Sequence, residues 1–262
     1  MIPRAGKNDE TGLVCLRACL QIASLGLMVL GSPAAAQGAP DDGQRYETCL
    51  AQVDLDARVA LAAAQSWTDG GGGAPAQHCA ALALIGLQHY EKAGQILLAL
   101  ASGEGSIDAL MRADFYAQAG NAFLLAGSAE NAPAAFDLAL ELKPDDAAIL
   151  TDRARADALR KDWKEAIADL DRVIALTPLA PEPYVLRASA KRLMGDLAGA
   201  GADLALALMR DPTNAGALLE RGIVSLAEGN RDAARADFEQ VLAIAPGSTV
   251  AREAKARLAA MN

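Results

Sequence analysis

Residues 113–146 read ADFYAQAGNAFLLAGSAENAPAAFDLALELKPDD. The stretch ends on Pro144 behind an apolar run, as a helix stop does. Pro178, Pro212 and Pro246 follow at intervals of 34, 34 and 34 residues. Setting the four prolines in register aligns other positions. Twelve residues earlier stand Ala132, Ala166, Ala200 and Ala234, and twenty-four earlier Gly120, Ala154, Ala188 and Gly222. Eight earlier stand Phe136, Leu170, Leu204 and Phe238, and four earlier Leu140, Ile174, Leu208 and Leu242. Small residues at fixed places let two helices approach closely, and bulky apolar ones fill the space between neighbouring pairs. The pattern predicts a helical hairpin repeated over 113–146, 147–180, 181–214 and 215–248. Turn residues fall between the paired helices, at Ala126-Gly127-Ser128, Lys161-Asp162, Gly195-Asp196 and Gly229-Asn230.

These residues resemble the tetratricopeptide repeat (TPR) family. The repeat 113–146 carries Tyr116, Gly120, Phe123, Ala132, Phe136, Ala139 and Pro144 in the family's places, and Leu150, Tyr184 and Leu218 open the pattern in the next three. A degenerate repeat is expected within 74–112, with Ala81, Leu84, Tyr90, Ala93, Leu97 and Leu100; it lacks the proline and ends in a Gly103-Glu104-Gly105 loop. The resemblance implies an all-α fold, an α-solenoid of stacked helical hairpins with an N-terminal helical cap and a C-terminal capping helix. It also implies a non-enzymatic protein-interaction scaffold, because stacked hairpins present a concave surface lined by their first helices. The groove positions are Gln118, Asn121, Thr151, Asp152, Arg155, Ser189, Arg192, Glu220 and Ile223, with apolar gaps at Leu186, Leu219 and Leu226. An amphipathic peptide or partner helix suits such a surface. Asn121 holds one place of the family's clamp for C-terminal carboxylates, but the lysines of that clamp are missing. Asp157, Lys191 and Ser225 stand where the family often has tyrosine, so packing between the paired helices departs from the typical form there.

Composition fits this architecture. Of 262 residues, 52% are hydrophobic but only 4% aromatic, so Ala, Leu and Val must fill the interior. A charged fraction of 22% is too high for a polytopic membrane protein, and the apolar fraction is too high for a disordered chain. The net charge of −9 makes nucleic acid an unsuitable partner.

Residues 1–36 read as a secretory signal. Arg4 and Lys7 precede an apolar run from Ala18 to Gly31, and Ala34-x-Ala36 fits the small-residue rule for cleavage after Ala36. A retained membrane anchor is the alternative, but the uncharged run is short for a span of about 20 residues. The expectation is a periplasmic or secreted protein of the bacterial cell envelope. Cleavage leaves two cysteines, Cys49 and Cys79, and an even pair in an exported chain suggests a disulfide. Closing that loop would stabilise the fold by roughly 3.5 kcal/mol on the chain-entropy model. Residues 37–73 are expected to form the helical cap and a Gly-rich turn, with Asp54 capping the second helix. Residues 249–262 suit the C-terminal cap, with Val250, Ala254, Leu258 and Met261 on one stripe.

One charge pattern belongs to this sequence. Arg153, Arg187 and Arg221 recur at the repeat period, and Asp169, Asp203 and Asp237 each follow 16 residues later. The two earlier repeats lack both members, with Ala119 and Ala135 in one and Ala80 and Ile96 in the other. Joint presence and joint absence predict an Arg–Asp ion pair across each hairpin.

No catalytic set emerges. His78, His89, Cys49 and Cys79 match no common zinc spacing, so neither a metal nor a cofactor is expected. The glycine run 70–73 lacks the lysine of a phosphate loop. The sequence therefore reads as a protein-binding scaffold. The alternative is an envelope accessory protein binding a non-protein ligand such as a glycan, which would require Tyr46, Trp67 and Phe115 to gather on an open surface.

Overall fold

The structure, a computed structural model, describes residues 41–103 and 107–261. The expected signal segment, its cleavage point and residues 37–40 of the cap lie outside the described residues. Thirteen helices and no strand occur among those described. Two cap helices, α1 (Asp42–Leu55) and α2 (Ala57–Asp69), precede the hairpin α3 (Gly73–Gly86) and α4 (Tyr90–Ser102). Four hairpins follow: α5 (Ala109–Ala126) with α6 (Asn131–Leu142), α7 (Ala147–Arg160) with α8 (Trp163–Leu176), α9 (Glu182–Leu193) with α10 (Leu197–Arg210), and α11 (Ala215–Ala227) with α12 (Arg231–Ile244). The helix α13 (Thr249–Ala260) ends the stack. No helix among the described residues is long and apolar enough to cross a membrane.

Short-range chemistry sets the boundaries. Asp108, Asp146, Asn214 and Ser248 cap α5, α7, α11 and α13, their side-chain oxygens accepting first-turn backbone N–H groups. The cap of α2 is Asp56, not Asp54: its carboxylate accepts from the backbone N–H of Arg58 and Val59. Asp54 is two residues too early because α1 runs on to Leu55.

Each of the four repeat hairpins turns through one left-handed residue at the same repeat position. These are Gly127 (φ 72°), Lys161 (φ 65°), Gly195 (φ 88°) and Gly229 (φ 84°). The residue after each donates back across the turn, Ser128 to Phe123, Asp162 to Asp157, Asp196 to Lys191 and Asn230 to Ser225. This closure satisfies the last carbonyls of each first helix. Of these four only Lys161 does it without glycine's conformational freedom, as Gln88 (φ 61°) does in the α3–α4 turn.

Packing follows the small-and-bulky register. A Cβ added at Gly120 would lie 2.6 Å from the nearest Phe136 ring carbon, and one at Gly222 would lie 2.5 Å from Phe238. The two middle repeats use Ala154 with Leu170 and Ala188 with Leu204, all buried. A larger side chain on the second helix thus goes with a smaller one on the first. One apolar cluster runs from Ala81 to Val173 and another from Tyr184 to Met261. At the end of the stack, Ala251, Ala254 and Met261 of the α13 segment join the second cluster, and Val250 and Leu258 pack against it.

Cys49 of α1 and Cys79 of α3 are buried neighbours with a Cα–Cα separation of 6.2 Å. Such a separation is within reach of a disulfide.

Candidate functional site

The first helices carry all nine expected groove residues, and they stand closer to one another than the second helices do. Helix α5 packs on α7 and α9 on α11, whereas α6, α8, α10 and α12 do not meet to that extent. The first-helix side is therefore the inner side of the four hairpins.

The structure links several groove residues across repeats. Arg155 bonds Asp152 (2.8 Å) on its own helix and Glu182 (3.2 Å) at the start of α9. Arg192 of α9 donates to Glu220 of α11 (2.8 Å), which also receives Ser189 Oγ (3.3 Å). Thr151 Oγ1 turns inward onto the Ala147 carbonyl, and Ile223 packs against the second apolar cluster. Asn121 is half-buried on α5. Gln118 is held from the other direction: its Oε1 accepts from His78 Nε2 (2.8 Å) on α3. Burial lowers the His78 pKa, and the neutral ring's Nδ1 accepts from the Tyr46 hydroxyl (2.6 Å).

That arrangement also places the three aromatics on which a glycan surface would depend. Tyr46 stacks on one side of His78 at 5.9 Å between ring centroids, and Phe115 lies on another at 4.9 Å. Phe115 and Trp67 are both buried. The three form no open aromatic surface, because each supports the cap or its junction with the first repeats.

The groove opens between α7 and α9, which do not pack as closely as α5 with α7. Small side chains make the floor, with Ala154, Ala158, Ala166 and Ala190. Leu159, Leu170, Leu186, Leu193 and Trp163 make the walls of this cleft of about 260 Å³, and Arg155 and Ser189 stand at its polar edge. Leu159 and Leu193 are 49% and 49% exposed, an apolar pair left facing solvent. Sequence reasoning found Arg155, Ser189 and Leu186 but missed Trp163. The missed signal was its place as the first residue of α8, just after the left-handed turn, which puts it in the same cleft as Ala158 and Leu159 at the end of α7.

The Arg–Asp residues come together as bidentate pairs. Arg153 Nε and Nη2 lie 2.7 and 2.6 Å from Asp169, Arg187 lies 2.9 and 2.5 Å from Asp203, and Arg221 lies 3.0 and 2.6 Å from Asp237. The three aspartates are buried. A second contact was not foreseen. Arg153 Nη1 also reaches Asp137 (2.7 Å) on the preceding hairpin, and Arg187 Nη1 reaches Asp171 (2.6 Å). Asp137 and Asp171 are themselves 34 residues apart, but Ala205 breaks the series before Arg221. Each of the first two arginines thus joins two successive hairpins. The hydrogen bonds that Asp169 and Asp203 accept hold these guanidiniums above the ordinary arginine range.

Where the family often has tyrosine, Lys191 places its Nζ 2.8 Å from Asp203. Asp157, one repeat earlier, is buried and carries no hydrogen bond or ion pair from any described side chain. Burial, then the nearby charge of Asp169, pushes its carboxyl up to about 6, against the pull of Arg153 and Arg160. No group of three or more His, Cys, Asp and Glu suited to a metal ion occurs among the described residues.

No protein-family model matches the chain. It is 40% identical over 95 residues to tetratricopeptide repeat protein 36 of Bos taurus, an alignment covering 35% of this chain and 50% of that one. The chain thus spans about half the length of the curated relatives it matches. Among solved structures, MamA (residues 41 to the end) from Desulfovibrio magneticus RS-1 superposes with a TM-score of 0.58 at 20% identity, covering 67% of this chain and 97% of the other. YrrB, described as a TPR protein with an unusual peptide-binding site, superposes with a TM-score of 0.52 at 20% identity, covering 73% and 96%. The 34-residue period, the stacked hairpins and these likenesses together show the tetratricopeptide-repeat fold.

Proposed function

We propose that this protein is a non-enzymatic scaffold that holds an amphipathic peptide or partner helix on the first-helix face, anchored in the cleft between α7 and α9. The observation that carries the reading is the exposed apolar lining of that cleft beside Arg155 and Ser189. An apolar side chain of the partner would seat between Leu159, Trp163 and Leu193, while the polar edge fixes its direction. Ion pairs between neighbouring first helices hold the platform in shape without occupying the cleft. The peptide-binding site named for YrrB, a protein of the same fold, supports the class of partner.

We further propose an exported location in the bacterial cell envelope, with a Cys49–Cys79 disulfide tying the cap to the first hairpin. The apolar segment before Ala36 and the juxtaposed buried cysteines support this.

A library of amphipathic helical peptides panned against the purified protein tests the binding face. Selected peptides should lose about tenfold or more in affinity on Leu193→Glu, as a buried anchor position does. Peptides that bind Leu193→Glu and the parent protein equally would place recognition elsewhere.

A further inference from the structure

The second-helix side has its own opening. A cleft of about 440 Å³ lies among α6, α7 and α8, lined by Pro133, Asp137, Arg153, Asp157, Glu165 and Asp169, with Arg160 and Asp162 at its rim. Its carboxylates outnumber its two guanidiniums, and Arg153 is already engaged by Asp137 and Asp169. Asp157 is 6% exposed and, as described, unpartnered. A largely buried carboxylate that lines the cleft with no donor of its own is one that a donor entering the cleft would satisfy.

The next repeat shows what fits. Advancing by 34 residues turns Asp137, Arg153, Asp157 and Asp169 into Asp171, Arg187, Lys191 and Asp203. There the chain supplies its own ammonium: Lys191 Nζ sits 2.8 Å from Asp203 Oδ2, beside the Arg187 pair. The earlier repeat keeps the same arginine and both flanking aspartates but has a carboxylate in place of the lysine. It therefore has the acceptors of the Lys191 site, one acceptor more, and no ammonium.

We propose that the Asp157 cleft binds a primary alkylammonium group, its N–H donors shared between Asp157 and Asp169. An unbranched chain running out past Ala168 and Glu165, both exposed, would connect the ammonium to solvent. A free diamine and a lysine side chain of a partner present the same chemistry here. The cleft is separate from the α7–α9 groove, so the proposal does not rest on the peptide-binding reading.

The test is titration of the purified protein with 1,5-diaminopentane, with Nα-acetyl-lysine methylamide and with tetramethylammonium, followed by amide chemical shifts at low salt and neutral pH. The two primary amines should shift the α7 and α8 signals around Asp157 and Asp169 and saturate. Tetramethylammonium, which has no N–H donor, should bind about tenfold more weakly or not at all. Tighter binding of the diamine points to a free polyamine as the source, and tighter binding of the lysine derivative to a partner's side chain. Asp157→Asn should weaken both by about tenfold or more. That variant removes a buried unpaired charge, so it should fold at least as well as the parent. No saturable shift from either amine, or equal binding to Asp157→Asn, overturns the proposal.

Discussion

Gly120 and Phe136 make the most quantitative test of the repeat packing. In Gly120→Ala, the new methyl would stand 2.6, 2.7 and 2.8 Å from three Phe136 ring carbons. Phe136 is 0% exposed, so the ring lies wholly within the core. Overpacking of this kind costs about 1–3 kcal/mol. The helix gains about 1 kcal/mol when alanine replaces glycine, so the net loss should fall between about 0 and 2 kcal/mol. Phe136→Leu alone leaves a void above Gly120 and should cost about 1–2 kcal/mol. The double variant rebuilds the pair already found as Ala154 with Leu170, so it should come within about 1 kcal/mol of the parent. The coupling is then about 2 kcal/mol, well above the few tenths by which independent sites deviate from additivity. Urea unfolding followed by circular dichroism on the four proteins measures it. Strict additivity, or a double variant worse than both singles, would mean that Gly120 and Phe136 do not pack as a pair.

Three more outcomes follow from the charged and sulfur groups. A double-mutant cycle on Arg187 and Asp203 should give a coupling energy of at least about 1 kcal/mol, and zero coupling would remove the ion pair as a determinant of the stack. Removing Asp203 alone should cost more than removing both, because Arg187 and Lys191 would lose their shared acceptor. Asp157 gives a pH signature. Its pKa rises from 3.8 to about 6 on folding, so its contribution to stability is complete below about pH 3.8 and is lost as pH rises through 6. Asp157→Asn should therefore raise stability at pH 7.5 by roughly 1–3 kcal/mol and flatten the profile between pH 4 and 6; an unchanged profile would contradict the burial argument. Finally, folded protein lacking residues 1–36, and with them Cys15 and Cys19, should show no free thiol, and Cys49→Ser should cost roughly 3.5 kcal/mol. Stoichiometric thiol labelling of the folded protein would sink the disulfide.

The repeat was legible because its signals are local. Proline at period 34, a left-handed turn residue and a small residue facing a bulky one each act within one hairpin, and the same chemistry recurs four times. The pairing of Arg153 with Asp169 was legible for the same reason. Its second partner, Asp137, belongs to the preceding hairpin; only a search backward from each arginine would have found it. The link from Tyr46 through His78 to Gln118 joins three helices with no repeat to reveal it. Asp56 rather than Asp54 caps α2 because the end of α1 decides which aspartate is free to do so. Trp163 and the opening between α7 and α9 depend on how far apart two helices settle. That spacing is set by the summed volumes of small residues on both, which no single position announces.

The proposed role requires the first-helix face, at the α7–α9 cleft, to hold a protein partner. A photoreactive amino acid placed at Leu159 or Leu193, with exposed Ala202 of α10 and Glu239 of α12 as controls, tests it in the living cell. A discrete crosslinked protein band is expected from Leu159 and Leu193, weakened by Arg155→Glu, and none from Ala202 or Glu239. Crosslinks from the α10 and α12 positions alone, or no crosslink from either face, would contradict it.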